Sequence, residues 1–229
     1  MKALDLFGGS YADFLRERYP DILRATAEHL GISGISVAAG CIVAIPIGIV
    51  LARHPIPWLQ SVIFSIANIF QTIPSLALLA ILIPIFGIGT KPAVFALFLY
   101  SLLPILRNTL AGLQSVDKSV LESARGMGYS AAQQLWHIQL PLAFPYMMSG
   151  IRMTTVYVIS WTTVATLIGA GGLGDLIFTG IGVNKNELIF TGAAAAILLA
   201  LLVDFILGNL EKWVMRKTGT TKSDTTISY

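Results

Sequence analysis

Residues 121–141 read LESARGMGYSAAQQLWHIQLP, the one long mixed-polarity stretch in the interior of a chain that is otherwise mostly apolar. Between oily runs such a segment has to lie in water or against another protein. Its local chemistry is that of two short helices. Ser119 followed three residues on by Glu122, and Ser130 by Gln133, each fit the spacing of a capping box. Gly128 lies between them, where a helix can end on a left-handed residue that glycine adopts cheaply. The expected object is helix, glycine turn, helix, lying along a membrane surface. Ser123, Ala124 and Gly126 leave one side of the first helix bare for close approach, and Pro141 suits the first turn of a following span.

Outward from this stretch the chain is oil. Charged residues are 12% of the 229, against about 25% in soluble domains, and apolar residues are 55%. That composition, with several long charge-free runs, gives an all-α polytopic membrane protein. The net charge of +3 and the lack of a basic stripe offer nothing to nucleic acid. Cys41 is the only cysteine, so no internal disulfide forms, and no Cys/His cluster offers a metal site. Arg16, Arg18 and Arg24 mix with Asp13, Glu17, Asp21 and Glu28 near the start, which is a polar entry and not the apolar centre of a signal peptide.

The first charge-free run, residues 30–52, holds 23 residues, enough for one span. The second, residues 56–90, holds 35. As one helix it would measure about 52 Å, while two full spans and a turn need roughly 40 residues or more. One long span over 57–86 is expected, bent near Pro74 and Pro84, with a pair of half-spans as the alternative. Further spans are expected at 92–113, 141–168 and 188–214, which makes five and puts the termini on opposite sides. One side holds Arg53, Arg107, Lys118, Arg125, Arg152, Lys212, Arg216, Lys217 and Lys222. The other holds six basic residues, four of them in the N-terminal segment. The positive-inside rule then makes the 117–140 loop cytoplasmic and the N-terminus external. Trp58 and Trp213 fall at the cytoplasmic ends of their spans, where indoles form interface belts. The expected organisation is an external segment 1–25, a transmembrane domain 26–216 and a cytoplasmic tail 217–229.

The loop also resembles a motif of binding-protein-dependent ABC importers. Their permeases carry E-A-A, a glycine four residues after the second alanine, and I-x-L-P after nine more. The matching residues here are Glu122, Ser123, Ala124, Gly128, Ile138, Leu140 and Pro141, with Ser123 replacing the first alanine. The resemblance covers nearly all of residues 26–212. It is strongest to the osmoprotectant branch, through FQTIPSLALLA (70–80), LYSLLPILRNT (99–109) and IGAGGLGD (168–175). Methionine importers share the five-span plan and a similar glycine-rich loop. The resemblance implies a methionine-permease-like fold in the bacterial cytoplasmic membrane. It implies two permease subunits, identical or sister chains, and an external solute-binding protein. It also implies a pair of ATPase subunits docked on the 117–140 loops, which would hold the ATP and magnesium; this chain would need no cofactor and do no bond chemistry. The solute would be glycine betaine, carnitine, choline or a related amine, with a methionine-type solute as the alternative.

Other patterns need weighing. Gly169, Gly171 and Gly174 fit G-x-G-x-x-G, but a dinucleotide site needs a strand-helix-strand unit, and here the glycines join two spans. With Gly172 they read as a tight external loop that helps gate the pathway. Gly172 to Asp175 also matches the G-x-G-D of intramembrane aspartyl proteases, with Asp204 as the second carboxylate; their placement at opposite ends of the bundle opposes the shared proton such a pair needs. A stand-alone secondary carrier would show an inverted repeat, and none is found. Arg107, Arg152 and Asp204 lie at similar depth and are expected to include an ion pair near the inner mouth. Asn68 and Gln71 share a helix face toward the pathway or a subunit interface. Tyr100, Tyr157 and Trp161 can offer aromatic faces to a quaternary amine.

Overall fold

The structure is a computed structural model and describes residues 9–218. Expectations about residues 1–8 and 219–229, Lys222 among them, fall outside the described residues. The order is α1 (Gly9–Arg53), α2 (Pro57–Thr72), α3 (Ser75–Phe86), α4 (Thr90–Gln114), α5 (Lys118–Gly126) and α6 (Ala131–Gln134). A π-helical turn, Leu135–Gln139, leads into α7 (Leu140–Ala165); a 3-10 turn, Thr166–Ile168, precedes α8 (Leu173–Gly182) and α9 (Asn186–Thr218). No strand occurs among the described residues.

Four helices are long and apolar enough to cross a membrane: those holding α1, α4, α7 and α9. The fifth crossing follows from the ends of the chain around it. Arg53, the last residue of α1, and His54 after it line a cavity with Lys118 and Glu122 of α5. Gly89, before α4, donates its N–H to the Ile168 carbonyl at 2.9 Å, at the opposite end of the bundle. The α2–α3 pair therefore carries the chain from one side to the other. It does so as two helices at 98°, nearer to the pair of half-spans than to the single bent span expected from sequence. Pro74 has no N–H to continue the ladder, and Ile73 before it is forced to ψ 129°. Pro84, the other expected bend, sits inside α3 without ending it. The legs of 16 and 12 residues measure about 24 and 18 Å, each short of a hydrocarbon core of about 30 Å.

α1 has 45 residues, about 67 Å, so its N-terminal half extends beyond the bilayer core. It shows no break at residue 25: the polar entry and the span are one helix. α4 is central, packed against α1 on one side and α7 on the other. The α1 side is a row of small residues, Gly40, Ala44 and Gly48, four apart on one face. A methyl group built at Gly40 would run into the Ser101 hydroxyl, and one at Gly48 would sit 2.7 Å from Cγ2 of Thr109. On the α7 side a methyl group at Gly112 would sit 2.8 Å from the Ala143 carbonyl. In lipid the apolar effect does not favour one helix pair over another, so close backbone approach and dispersion hold these helices together.

Candidate functional site

The polar loop forms the helix-turn-helix its sequence implies, with one change at the start. Asp117, and not Ser119, caps α5: its carboxylate accepts the Ser119 N–H at 2.8 Å. An Asp two residues ahead reaches the second N–H of the helix, which a Ser at 119, already inside the first turn, cannot do for itself. Accepting that N–H, and the Ser119 hydroxyl, holds the Asp117 carboxyl below the usual carboxylate range. Glu122 therefore makes no capping contact and lies exposed on α5. At the other end Gly128 has φ +86°. Its N–H meets the Arg125 carbonyl at 2.9 Å and the Tyr129 N–H meets that of Ala124 at 3.0 Å, a Schellman closure.

The second capping box is complete. Gln133 N–H donates to Ser130 Oγ at 3.3 Å, and Ser130 N–H donates to Gln133 Oε1 at 2.8 Å. Ala124 is buried under α5, while Ser123 and Gly126 are exposed. Ile138 and Leu140 are half-buried and Pro141 opens α7. Around Gly128 three large side chains point outward: Met127 is 70% exposed, Trp136 67% and Tyr129 39%. Large apolar groups beside exposed charges form a surface that another protein can cover. Met127 and Trp136 were not read from the sequence, although they sit inside the motif. Beside this surface lies a cavity of about 450 Å³, lined by Arg53, His54, Lys118, Glu122 and Arg125.

At the opposite end the glycine-rich loop is clasped by α1. Gly171 and Gly172 have φ +84° and +91°, a region an L side chain enters only with strain. Gly174 is helical, and a methyl group there would collide with the Thr163 carbonyl and the Thr166 hydroxyl. The first free N–H groups of α8 are taken by α1 side chains. Glu28 Oε2 accepts the Gly172 N–H at 3.3 Å, and His29 Nδ1 accepts the Leu173 N–H at 3.3 Å. Because Nδ1 accepts, Nε2 carries the proton and donates to the Ile159 carbonyl of α7 at 2.9 Å. His29 is fully buried and joins three helices, a role the sequence analysis missed. Arg24 holds Glu28 from the other side at 2.9 Å.

Near the loop-bearing end formed by α5 and α6, Arg152 of α7 grips Asp204 of α9 in a bidentate pair. Nε donates to Oδ1, and Nη2 donates to Oδ2 at 2.7 Å. Arg152 Nη1 also reaches Glu211 Oε2 at 3.6 Å. Asp204, Gly208 and Glu211 lie at four- and three-residue intervals on one face of α9. A methyl group at Gly208 would come within 3.0 Å of the guanidinium. The spacing could have disclosed Glu211. Arg107 is exposed on α4 and makes no ion pair among the described residues. Asp175 lies at the other end of the bundle, on the first turn of α8, where burial and then the Glu28 charge push its carboxyl up. Asp204 is paired with Arg152 while Asp175 lies at the other end of the bundle, so the two form no proteolytic dyad.

Gln71, Tyr100, Tyr157 and Trp161 come together. Gln71 Nε2 donates to the Tyr100 carbonyl at 2.7 Å, and the Tyr100 hydroxyl donates to the Ile73 carbonyl at 2.6 Å. The Tyr100 and Trp161 rings stack at 6.3 Å and 13°, and Tyr157 meets Trp161 at 5.9 Å and 66°. Asn68 stays apart and exposed on α2. No group of three or more His, Cys, Asp or Glu suited to a metal occurs among the described residues.

Comparison with known proteins agrees with this geometry. The profile of the family described as "Binding-protein-dependent transport system inner membrane component" matches residues 44–217. The carnitine transport permease protein OpuCB of Listeria monocytogenes is 46% identical over 198 residues, 86% of this chain and 90% of that protein. The choline transport system permease protein OpuBB of Bacillus subtilis is 46% identical over 199 residues, 87% and 91% of the two chains. The glycine betaine/carnitine/choline transport system permease protein OpuCB of Bacillus subtilis is 45% identical over 204 residues, 89% and 93%. Among solved structures, an inward-facing MetNI methionine ABC transporter has a chain that superposes with a TM-score of 0.75 at 24% identity. The match covers 84% of this chain and 95% of that one, and it shows the fold.

Proposed function

The chain belongs to the family of inner membrane components of binding-protein-dependent transport systems, and from that premise we infer that it is the permease of an osmoprotectant importer. The solute class is glycine betaine, carnitine, choline or a related quaternary amine. One observation carries this: relatives at 45–46% identity over most of both chains bear those solutes in their names. Likeness to the methionine transporter is at 24% identity and supports the fold without favouring methionine as solute.

In this reading the chain sits in the cytoplasmic membrane with Gly169–Gly174 outside and α5–α6 inside. Two permease subunits enclose the pathway. An ATPase pair, holding ATP and magnesium, docks on Glu122–Pro141, and an external binding protein delivers solute to the glycine-loop side. The exposed Met127, Tyr129 and Trp136 around the closed Gly128 turn support the docking face. The chain works by moving helices and changes no bond. The clasp of Glu28 and His29 on α8 supports a role for the glycine loop in gating.

Reconstitution with the partner ATPase and binding protein, followed by ATP-dependent uptake of radiolabelled choline, carnitine, glycine betaine and methionine, tests the proposal. Uptake of at least one quaternary amine in preference to methionine is expected. Methionine uptake alone, or uptake that persists without ATP, would overturn it.

A further inference from the structure

The break in the second crossing and the aromatic cluster occupy one place. α2 ends at Thr72, and Pro74 has no N–H to meet the carbonyl of Phe70. The last carbonyls of a helix carry its partial negative charge. Here that end is tied to Tyr100 by two hydrogen bonds, of 2.6 and 2.7 Å. Tyr100 is almost fully buried, and the Trp161 ring lies parallel to its own. Tyr157, 37% exposed, closes on Trp161 at 66°, so the two rings form an open corner.

The depth fits a pathway site. The Gly89–Ile168 hydrogen bond sets the outer level. Trp161 lies seven residues along α7 from Ile168 and Tyr100 eleven along α4 from Gly89. Those are about 10 and 16 Å at 1.5 Å per residue, well inside a core about 30 Å thick. No Asp or Glu occurs on α2, α3, α4 or α7. A cation at this depth would find no carboxylate there to trap it.

We propose that the Tyr157–Trp161 corner, backed by Tyr100 and the carbonyl end of α2, is a transient site for the quaternary ammonium group of the solute in transit. A quaternary ammonium has no N–H and gains little from hydrogen-bond acceptors. It is held by aromatic faces and by the negative ends of peptide dipoles. Such a site is weak by construction, which lets the solute leave. It also leaves the carboxylate of a betaine unopposed by any fixed anion. The inference rests on the osmoprotectant reading, so wild-type uptake of choline, carnitine and glycine betaine is measured first; absence of all three sinks that reading and not this one alone, and if choline is not carried the series below is run with the amine that is.

The test is isosteric. The reconstituted complex is made with tryptophan, 5-fluorotryptophan or 5,7-difluorotryptophan, each fluorine weakening the negative ring face without changing packing. The same series in Trp161→Phe controls for Trp58, Trp136 and Trp213. A stepwise rise in KM for choline, about two- to fivefold per fluorine and absent in the control, is expected. In addition, Tyr157→Leu should cut choline uptake about five- to thirtyfold while Tyr157→Phe, which keeps the ring face, stays near wild type, and both variants should still co-purify with the partner ATPase. A KM that does not move with fluorination, or moves equally in the Trp161→Phe control, overturns the site. Equal loss in Tyr157→Phe and Tyr157→Leu does so as well, because the ring face survives in one of them.

Discussion

His29→Ala is the substitution whose cost can be worked out most completely. The ring is fully buried and holds two partners, the Leu173 N–H at 3.3 Å and the Ile159 carbonyl at 2.9 Å. Removing it strands a buried N–H at the start of α8, at about 1–3 kcal/mol. Losing the bond to the Ile159 carbonyl adds about 0.5–1.5 kcal/mol. The missing ring leaves a void where α1, α7 and α8 meet, for about 1–2 kcal/mol more. The sum, roughly 3–6 kcal/mol, is a large part of the 5–15 kcal/mol typical of whole domains. At about 2–4 °C per kcal/mol for a chain of this size it lowers Tm by about 6–24 °C. Thermal unfolding of the detergent-solubilised complex reads this directly. His29→Asn, whose carbonyl oxygen can still accept the Leu173 N–H, should lose less than half as much. A Tm for His29→Ala within about 3 °C of wild type would refute the clasp. So would an Asn variant as unstable as the Ala variant, since the shared bond to α8 would then count for nothing.

Three further outcomes are expected. Gly40→Ala should lower Tm by several degrees, because its new methyl meets the buried Ser101 hydroxyl; Ser101→Gly in the same chain should recover most of the loss, and no recovery would mean that the α1–α4 seam is looser than described. Gly128→Pro removes the N–H that meets Arg125 and forbids the positive φ, so it should abolish ATP-driven uptake while the chain stays inserted in the membrane; uptake at the wild-type rate would remove α5–α6 as the docking face. Asp204→Asn should destabilise more than Glu211→Gln, since Arg152 is bidentate with Asp204 but 3.6 Å from Glu211, and the reverse order in a Tm series would reassign the main partner.

The sequence was readable wherever the cause is local. Charge-free runs marked the spans, Ser130 and Gln133 marked a cap, and Gly128 marked a left-handed turn, because each depends on neighbours a few residues away. Asp117 took the first cap from Ser119 because two candidates competed, and the spacing of Ser119 and Glu122 alone favoured the wrong one. The break at Pro74 was visible as a proline but its 98° angle was not, since Tyr100 and Gln71, from and to a distant helix, fix it. α8 was read as part of a loop: its 10 residues are too few for a span, and its N–H groups are satisfied by Glu28 and His29, more than 140 positions away. The row Gly40, Ala44 and Gly48 and the interval from Asp204 to Glu211 were legible as spacings, yet a reading based on apolar runs passes over small and charged residues alike.

The π-helical turn at Leu135–Gln139 has a mechanical consequence. It widens the helix without interrupting it, so Ala131–Ile168 forms one unbroken run of 38 residues, about 57 Å long. One end is the capped turn at Ser130 and the other is Gly169, where the glycine loop begins. Pro141 and Pro145 each remove one N–H from its ladder, so any bend between the ends falls there. In the importer reading, a push on the short helix beside Gly128 would travel along this run toward Thr166 and the glycine loop.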